Sequence, residues 1–160
     1  MDIKTKLIHA GFDRSLYYGA SSVPVFHGST YHQCDPEHLA MYGYSRCDNP
    51  TRHALELAVA ELENAKFGFA FASGIAAMSS VLMIFQPGDH IIACLDIYGG
   101  TYQALTTVFQ QWGLTTTFVD TTKLEEVRKA ITRKTKAIIV ETPSNPDRKS
   151  TRLNSSHGKL

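Results

Sequence analysis

The sequence predicts an α/β fold, a mostly parallel sheet with helices on both faces. Three observations predict it. HIIACL (90–95) and KAIIVE (136–141) are apolar almost throughout, as strands covered on both faces are. Segments with helical spacing stand between such runs, so strands and helices alternate along the chain. Turn signals such as Pro87-Gly88-Asp89 punctuate the alternation.

Up to about residue 48 the chain is irregular and rich in Gly, Ser, His and Tyr, which predicts an extended N-terminal arm over 1–48 lying on something else. Regular structure is expected from Asn49-Pro50, a residue able to cap a helix followed by one tolerated at its first position. Leu55, Ala58, Val59 and Leu62 then follow at i, i+3, i+4 and i+7, the apolar stripe of a helix. FGFAFA (67–72) predicts a short strand, and IAAMSSVLMIF (75–85) a helix. After the strand at 90–95, residues 98–112 predict a helix, TTTFVD a strand, LEEVRKAI (124–131) an amphipathic helix, and 136–141 the last strand. The sheet looks unfinished at its C-terminal end. The expected organisation is therefore an arm over 1–48, a partial α/β domain over 49–146, and a distinct tail over 147–160.

The 160 residues are 43% hydrophobic and 19% charged with a net charge of +1, which argues against disorder and against a global nucleic-acid footprint. The N-terminus has no long apolar core of a signal peptide, and no run approaches the ~18 apolar residues of a membrane span. Cys34, Cys47 and Cys94 form an odd set without a CxxC pair, as expected of thiols in a reducing cytoplasm. HQCDPEH (32–38) could offer His32, Cys34 and His38 to zinc, but no fourth ligand stands at a recognisable spacing. A polar surface loop is the better account, and no metal is expected.

In open α/β sheets ligands collect where strands end and helices begin, and three such junctions carry unusual residues. Ser73-Gly74-Ile75 opens a helix with free N–H groups and a Gly that lets an anion approach the main chain. Asp96-Ile97-Tyr98-Gly99-Gly100-Thr101 places a Tyr after a strand end, where its ring can face a planar ligand. Glu141-Thr142-Pro143-Ser144-Asn145-Pro146 brackets an Asn between two prolines. Upstream, Tyr44 and Arg46 point the same way if their stretch is extended, and a phenol beside a guanidinium suits phosphate. Taken alone, each has a plainer account: a tight turn, a core Tyr, a loop of ordinary turn residues, a surface Arg before a helix cap. Neither GxGxxG nor GxxxxGK[ST] is present.

Their order along the chain is more specific. H-A-G at 9–11, Y-x-R-x-x-N-P-T at 44–51, L-E at 55–56, A-x-L-E at 60–63, F-A-S-G at 71–74, P-G-D at 87–89, Y-G-G-T at 98–101 and E-T-P-S-N-P at 141–146 together resemble the Cys/Met metabolism group of pyridoxal-phosphate (PLP) enzymes. That group contains cystathionine γ-synthase, cystathionine β- and γ-lyases and methionine γ-lyase, and the resemblance spans residues 1–146. It implies the large domain of PLP fold-type I, the aspartate-aminotransferase-like fold, here truncated. It implies that Ser73, Gly74 and Ile75 bind the cofactor phosphate, the last two through main-chain amides. Ile75 stands where a Met is common. Tyr98 would stack on the pyridoxal ring and take part in proton handling, and Asn145 would lie beside the cofactor's 3-hydroxyl and the substrate carboxylate. Tyr44 and Arg46 would bind the phosphate of a neighbouring subunit's cofactor, in a homotetramer built of active-site-sharing dimers.

The implied activity is trans-sulfuration: the α-proton of a sulfur-containing amino acid is removed and a β- or γ-substituent is eliminated or replaced. Gly100 stands where methionine γ-lyases tend to carry Cys, which favours the cystathionine enzymes. A transaminase is a rival that Y-x-R together with Y-G-G-T disfavours. The family's Schiff-base Lys, in a Ser-x-Thr-Lys setting, and the Asp that meets the pyridine nitrogen lie beyond E-T-P-S-N-P. No lysine from Lys4 to Lys159 has that setting, so this chain is expected to be inactive alone. A short, catalytically dead subunit that donates Tyr44 and Arg46 to a longer partner is the other reading. DRKSTRLNSSH (147–157) resembles the in-frame translation of a short-read library adapter, with Gly158-Lys159-Leu160 as read-through. Against a basic nucleic-acid arm stands the lack of interleaved aromatics. The tail over 147–160 is therefore expected to be foreign to the gene.

Overall fold

The computed structural model describes residues 2–33, 35 and 40–144. Cys34, His38, Asn145 and the tail at 147–160 lie outside the described residues. The chain forms two compact units, Met1–Phe71 and Ala72–Leu160.

In the first unit, helix α1 (Ile3–His9) starts where the Asp2 carboxylate accepts the Ile3 N–H at 2.9 Å, and packs against α2 (Pro50–Leu62). A 3-10 turn follows at Arg14–Tyr17. The expectation of a wholly irregular arm needs correction: α1 was not legible because it is short and buries none of its residues, Ile3, Leu7 and Ile8 all being exposed. Gly11 (φ +69°) lets the chain turn tightly over α2, where a Cβ would lie 2.3 Å from the Ala54 carbonyl oxygen. Asn49 caps α2 and Pro50 stands at its first position, as the sequence predicts. An isolated antiparallel bridge pairs Thr30 with Tyr44 ahead of α2.

The strand expected at 67–72 does not form. Phe67, Phe69 and Phe71 are exposed while Gly68 and Ala70 lean on α2, so the period-two alternation is real. Ala70 donates its N–H to Glu56 Oε1 at 2.9 Å, and a Cβ on Gly68 would stand 2.3 Å from the Glu56 carbonyl. The segment is held by a helix, and among the described residues no strand lies beside it to complete a ladder.

The second unit is a three-stranded parallel sheet in the order β2-β1-β3, built from β1 (His90–Cys94), β2 (Thr115–Val119) and β3 (Thr135–Ile139). Every residue of β1 is buried, as the apolar run after His90 predicts for a central strand. Ile91 and Ala93 pack with Leu82 of α3 (Gly74–Leu82), Leu105 and Phe109 on one face. Ile92 meets Val119 and Val127 of α6 (Leu124–Ala130) on the other. Helices thus cover both faces.

Between β1 and β2 the helix predicted at 98–112 runs as α4 (Gly99–Gln103), a π turn (Ala104–Val108) and α5 (Phe109–Gln111). The wider turn lets Thr101, Leu105 and Phe109, four residues apart, all stay buried on one face. Thr106 and Thr107 hydroxyls donate back to the carbonyls of Tyr102 and Gln103 at 2.9 and 2.6 Å.

His90 ties the amino ends of the strands together. Buried at 6% exposure, its Nδ1 bonds with Thr135 Oγ1 at 2.8 Å and its Nε2 with Thr117 Oγ1 at 2.9 Å. Each ring nitrogen so meets a hydroxyl that can donate or accept. His90→Phe is expected to fill the space while stranding the Thr117 hydroxyl, Thr135 keeping its bonds to Thr132, at a cost of about 1–3 kcal/mol. A lowered urea midpoint with an unchanged slope checks this.

Candidate cofactor site

The site forms at the carboxyl end of the sheet. Helix α3 leads through Pro87-Gly88 into the start of β1, so it runs against the strand and its N-terminus faces the strand's carboxyl end. Helix α4 follows β1, so its N-terminus faces the same end, and the two helices are in contact. Both present unsatisfied main-chain N–H groups there.

Ser73 is the N-cap of α3: its backbone is extended and its Oγ accepts the Ala76 N–H at 3.2 Å. The amides of Gly74 and Ile75 open the first turn. A Cβ placed on Gly74 would meet nothing within 4 Å, so no packing inside the chain demands a glycine there. The open approach and the donors suit an anion. Tyr98 is half-exposed, and its N–H donates to Glu141 Oε2 at 2.7 Å. Its ring lies against Gly100, where a Cβ would stand 2.5 Å from Cε1. A side chain at 100 would displace the ring, and the glycine leaves it free to lie over the helix start.

Glu141 is a site residue that the sequence motifs leave without a role; its one signal is a carboxylate ending an apolar strand. Its own N–H meets Cys94 Sγ at 3.4 Å, so it links the ends of β1 and β3 to the start of α4. Beside it a cavity of about 290 Å³ is lined by Cys94, Asp96, Asp120, Thr121, Thr122 and Glu141. Within it the Thr122 hydroxyl (2.6 Å) and then the Thr122 N–H (3.0 Å) hold the Asp120 carboxyl below its ordinary range, with Lys123 at 3.3 Å adding to the effect. A lowered folded-state pKa stabilises the fold above the ordinary aspartate value of about 4, and that gain is lost as pH falls through the folded value. Thr122→Ala is expected to return the Asp120 titration toward the ordinary value, read by carboxyl NMR.

In the first unit the predicted Tyr44–Arg46 pair does come together. Arg46 Nη2 donates to the Tyr44 hydroxyl, and the guanidinium carbon lies 5.0 Å from the ring centroid. Both side chains are exposed. The neighbouring N-P-T residues hold this place rather than joining it. Asn49 Nδ2 reaches the Phe26 carbonyl and Ser45 Oγ, each at 3.1 Å. Thr51 Oγ1 donates to the Pro24 carbonyl at 3.0 Å and accepts the Phe26 N–H at 2.9 Å. The chain thus carries two donor sets suited to phosphate, one in each unit, and an aromatic face in the second. Among the described residues no group of His, Cys, Asp or Glu could hold a metal.

The family profile described as "Cys/Met metabolism PLP-dependent enzyme" matches residues 4–155. The chain belongs to this family. It is 49% identical over 146 residues to cystathionine gamma-lyase of Bacillus subtilis, covering 91% of this chain and 38% of that protein. It is 45% identical over 144 residues to cystathionine beta-lyase MetC of the same species, covering 90% and 37%. Among solved structures, metB from Corynebacterium glutamicum superposes with a TM-score of 0.86 at 47% identity, over 91% of this chain and 38% of that one. Cystathionine gamma-lyase from Lactobacillus plantarum, complexed with L-serine, gives 0.85 at 47% identity with the same coverage. The fold is therefore that of the PLP fold-type-I large domain, and the chain spans 38% of these solved structures. Pyridoxal phosphate is the family's cofactor, and the donors at Gly74 and Ile75, the exposed ring of Tyr98 and the Tyr44–Arg46 pair fit its phosphate and its planar ring.

Proposed function

We propose that the chain is part of a PLP-dependent enzyme that makes or breaks C–S bonds of sulfur amino acids, with cystathionine β-lyase, γ-lyase or γ-synthase activity. The observation that carries this reading is the open, capped N-terminus of α3 facing the same end of the sheet as the half-exposed Tyr98. The amides of Gly74 and Ile75 would hold the cofactor phosphate, with Ser73 fixing the turn. Tyr98 would cover the pyridoxal ring face and move a proton at its hydroxyl. Asn145 would meet the cofactor's 3-hydroxyl and the substrate carboxylate. Tyr44 and Arg46 would hold the phosphate in a neighbouring subunit, within a homotetramer of active-site-sharing dimers. When bound, the cofactor supplies the electron sink for loss of the substrate's α-proton. What this chain supplies is orientation and anion binding.

The 160-residue chain alone is proposed to be inactive, because none of its lysines stands in the Ser-x-Thr-Lys setting of the Schiff-base residue. Residues 147–160 are proposed to be foreign to the gene, and the cysteines to be thiols in a cytoplasmic protein. Resequencing the locus across codon 146 tests this first: continuation into Ser-x-Thr-Lys supports it, and a genuine stop after Leu160 opposes it. The completed protein is then assayed with cystathionine. Pyruvate or 2-oxobutyrate release supports the reading; glutamate-dependent keto-acid exchange alone would replace it with transamination.

A further inference from the structure

The turn that carries Arg46 is held from behind by a second arginine. Tyr44 accepts the N–H groups of Cys47 and Asp48 at its carbonyl, at 2.9 and 3.0 Å, closing a tight turn with Arg46 at its crest. Arg52, one turn into α2, reaches up to the same segment. Its Nη1 donates to the Ser45 carbonyl at 3.4 Å and its Nη2 to the Cys47 carbonyl, the two carbonyls that flank Arg46. The Asp48 carboxylate at 3.3 Å and Glu56 Oε1 at 3.6 Å from Nε orient the guanidinium. Its side chain is 31% exposed, against a helix whose first turn is already laced by Asn49 and Thr51. A planar fork with donors on both sides can bind two carbonyls at once, which an ammonium cannot do in one geometry.

We propose that Arg52 is a positioning residue for the Tyr44–Arg46 phosphate clamp: by gripping the carbonyls on either side of Arg46, it fixes the turn that presents the guanidinium. This rests on the reading of that pair as a phosphate clamp. Arg52 directs its guanidinium from α2 into the turn, while Arg46 is exposed. Without Arg52 the Ser45 and Cys47 carbonyls lose their guanidinium donor; the Ser45 end stays tied to Ser29, Gly28 and Asn49, so the turn beyond it, closed by the two Tyr44 bonds, opens more often.

The test uses the full 160-residue chain as wild type, Arg52→Lys and Arg52→Gln, with inorganic phosphate as the probe. Amide exchange at Cys47 and Asp48 is expected to rise about tenfold in Arg52→Gln, the loss of about one charge-assisted bond, with Arg52→Lys in between. Exchange at Glu63, closing α2, is expected to stay at the wild-type rate. The phosphate concentration that half-shifts the Arg46 guanidinium resonance is expected to rise by a similar factor. Unchanged exchange at Cys47 and Asp48 in Arg52→Gln would overturn the proposal, as would an equal rise throughout α2, which would make Arg52 a plain stability residue. Should wild-type Arg46 fail to respond to phosphate while the Cys47 and Asp48 amides still loosen, the clamp reading falls and the positioning of the turn stands.

Discussion

Arg46→Gln in the completed protein is expected to weaken retention of pyridoxal phosphate by about a hundredfold. A guanidinium meeting a phosphate makes charge-assisted bonds of about 1.5–3 kcal/mol each, and losing two of them gives a factor of this order. Glutamine keeps an amide NH2 but loses the charge and the guanidinium fork. The fold has little stake in the change, because Arg46 is exposed and among the described residues its guanidinium meets Tyr44 and no carboxylate. Tyr44→Phe, which removes a single hydroxyl, is expected to cost about tenfold by the same reasoning. Equilibrium dialysis measures both. Wild-type retention in Arg46→Gln would show that the pair is an ordinary surface contact and would remove the neighbouring-subunit role proposed for it.

The contrast between Arg46 and Arg52 shows what sequence reading can and cannot reach. Arg46 is a candidate from sequence because a phenol and a guanidinium two residues apart would share a face in extended backbone; the backbone is instead a turn closed on the Tyr44 carbonyl, and the two side chains meet across it. Arg52 is not, since a lone Arg in a helix's first turn has no local pattern, and its partners are carbonyls that become neighbours only once the turn at 44–48 has formed. His90 and Glu141 follow the same logic. Their hydrogen bonds join residues 27 to 47 positions apart, and no periodicity encodes such distances. The strands β1, β2 and β3, the Asn49 cap and the helix after Ser73 were legible because each is written in consecutive residues. The segment at 67–72 marks the limit of that method. Alternation predicts an extended chain, but a strand also needs a neighbour, and here α2 takes that place.

Gly74→Ala separates stability from function at the other donor set. Alanine is favoured over glycine in a helix by about 0.5–1 kcal/mol, less at a first position where the turn is already capped. Gly74 has no left-handed backbone conformation to protect, and its Cβ would meet nothing within 4 Å, so the variant is expected to unfold at the same or a slightly higher urea concentration. The binding prediction runs the other way. A helical Cβ tilts toward the N-terminus, so the added methyl stands on the side from which an anion approaches the Gly74 and Ile75 amides. Pyridoxal phosphate affinity in the completed protein is expected to fall about tenfold or more, the loss of roughly one charge-assisted bond. If Gly74→Ala lowers stability and leaves cofactor affinity intact, the glycine serves packing and the anion site at α3 is misplaced. If stability holds and affinity falls, only a ligand at the helix N-terminus explains why an open position with an ordinary backbone carries no side chain.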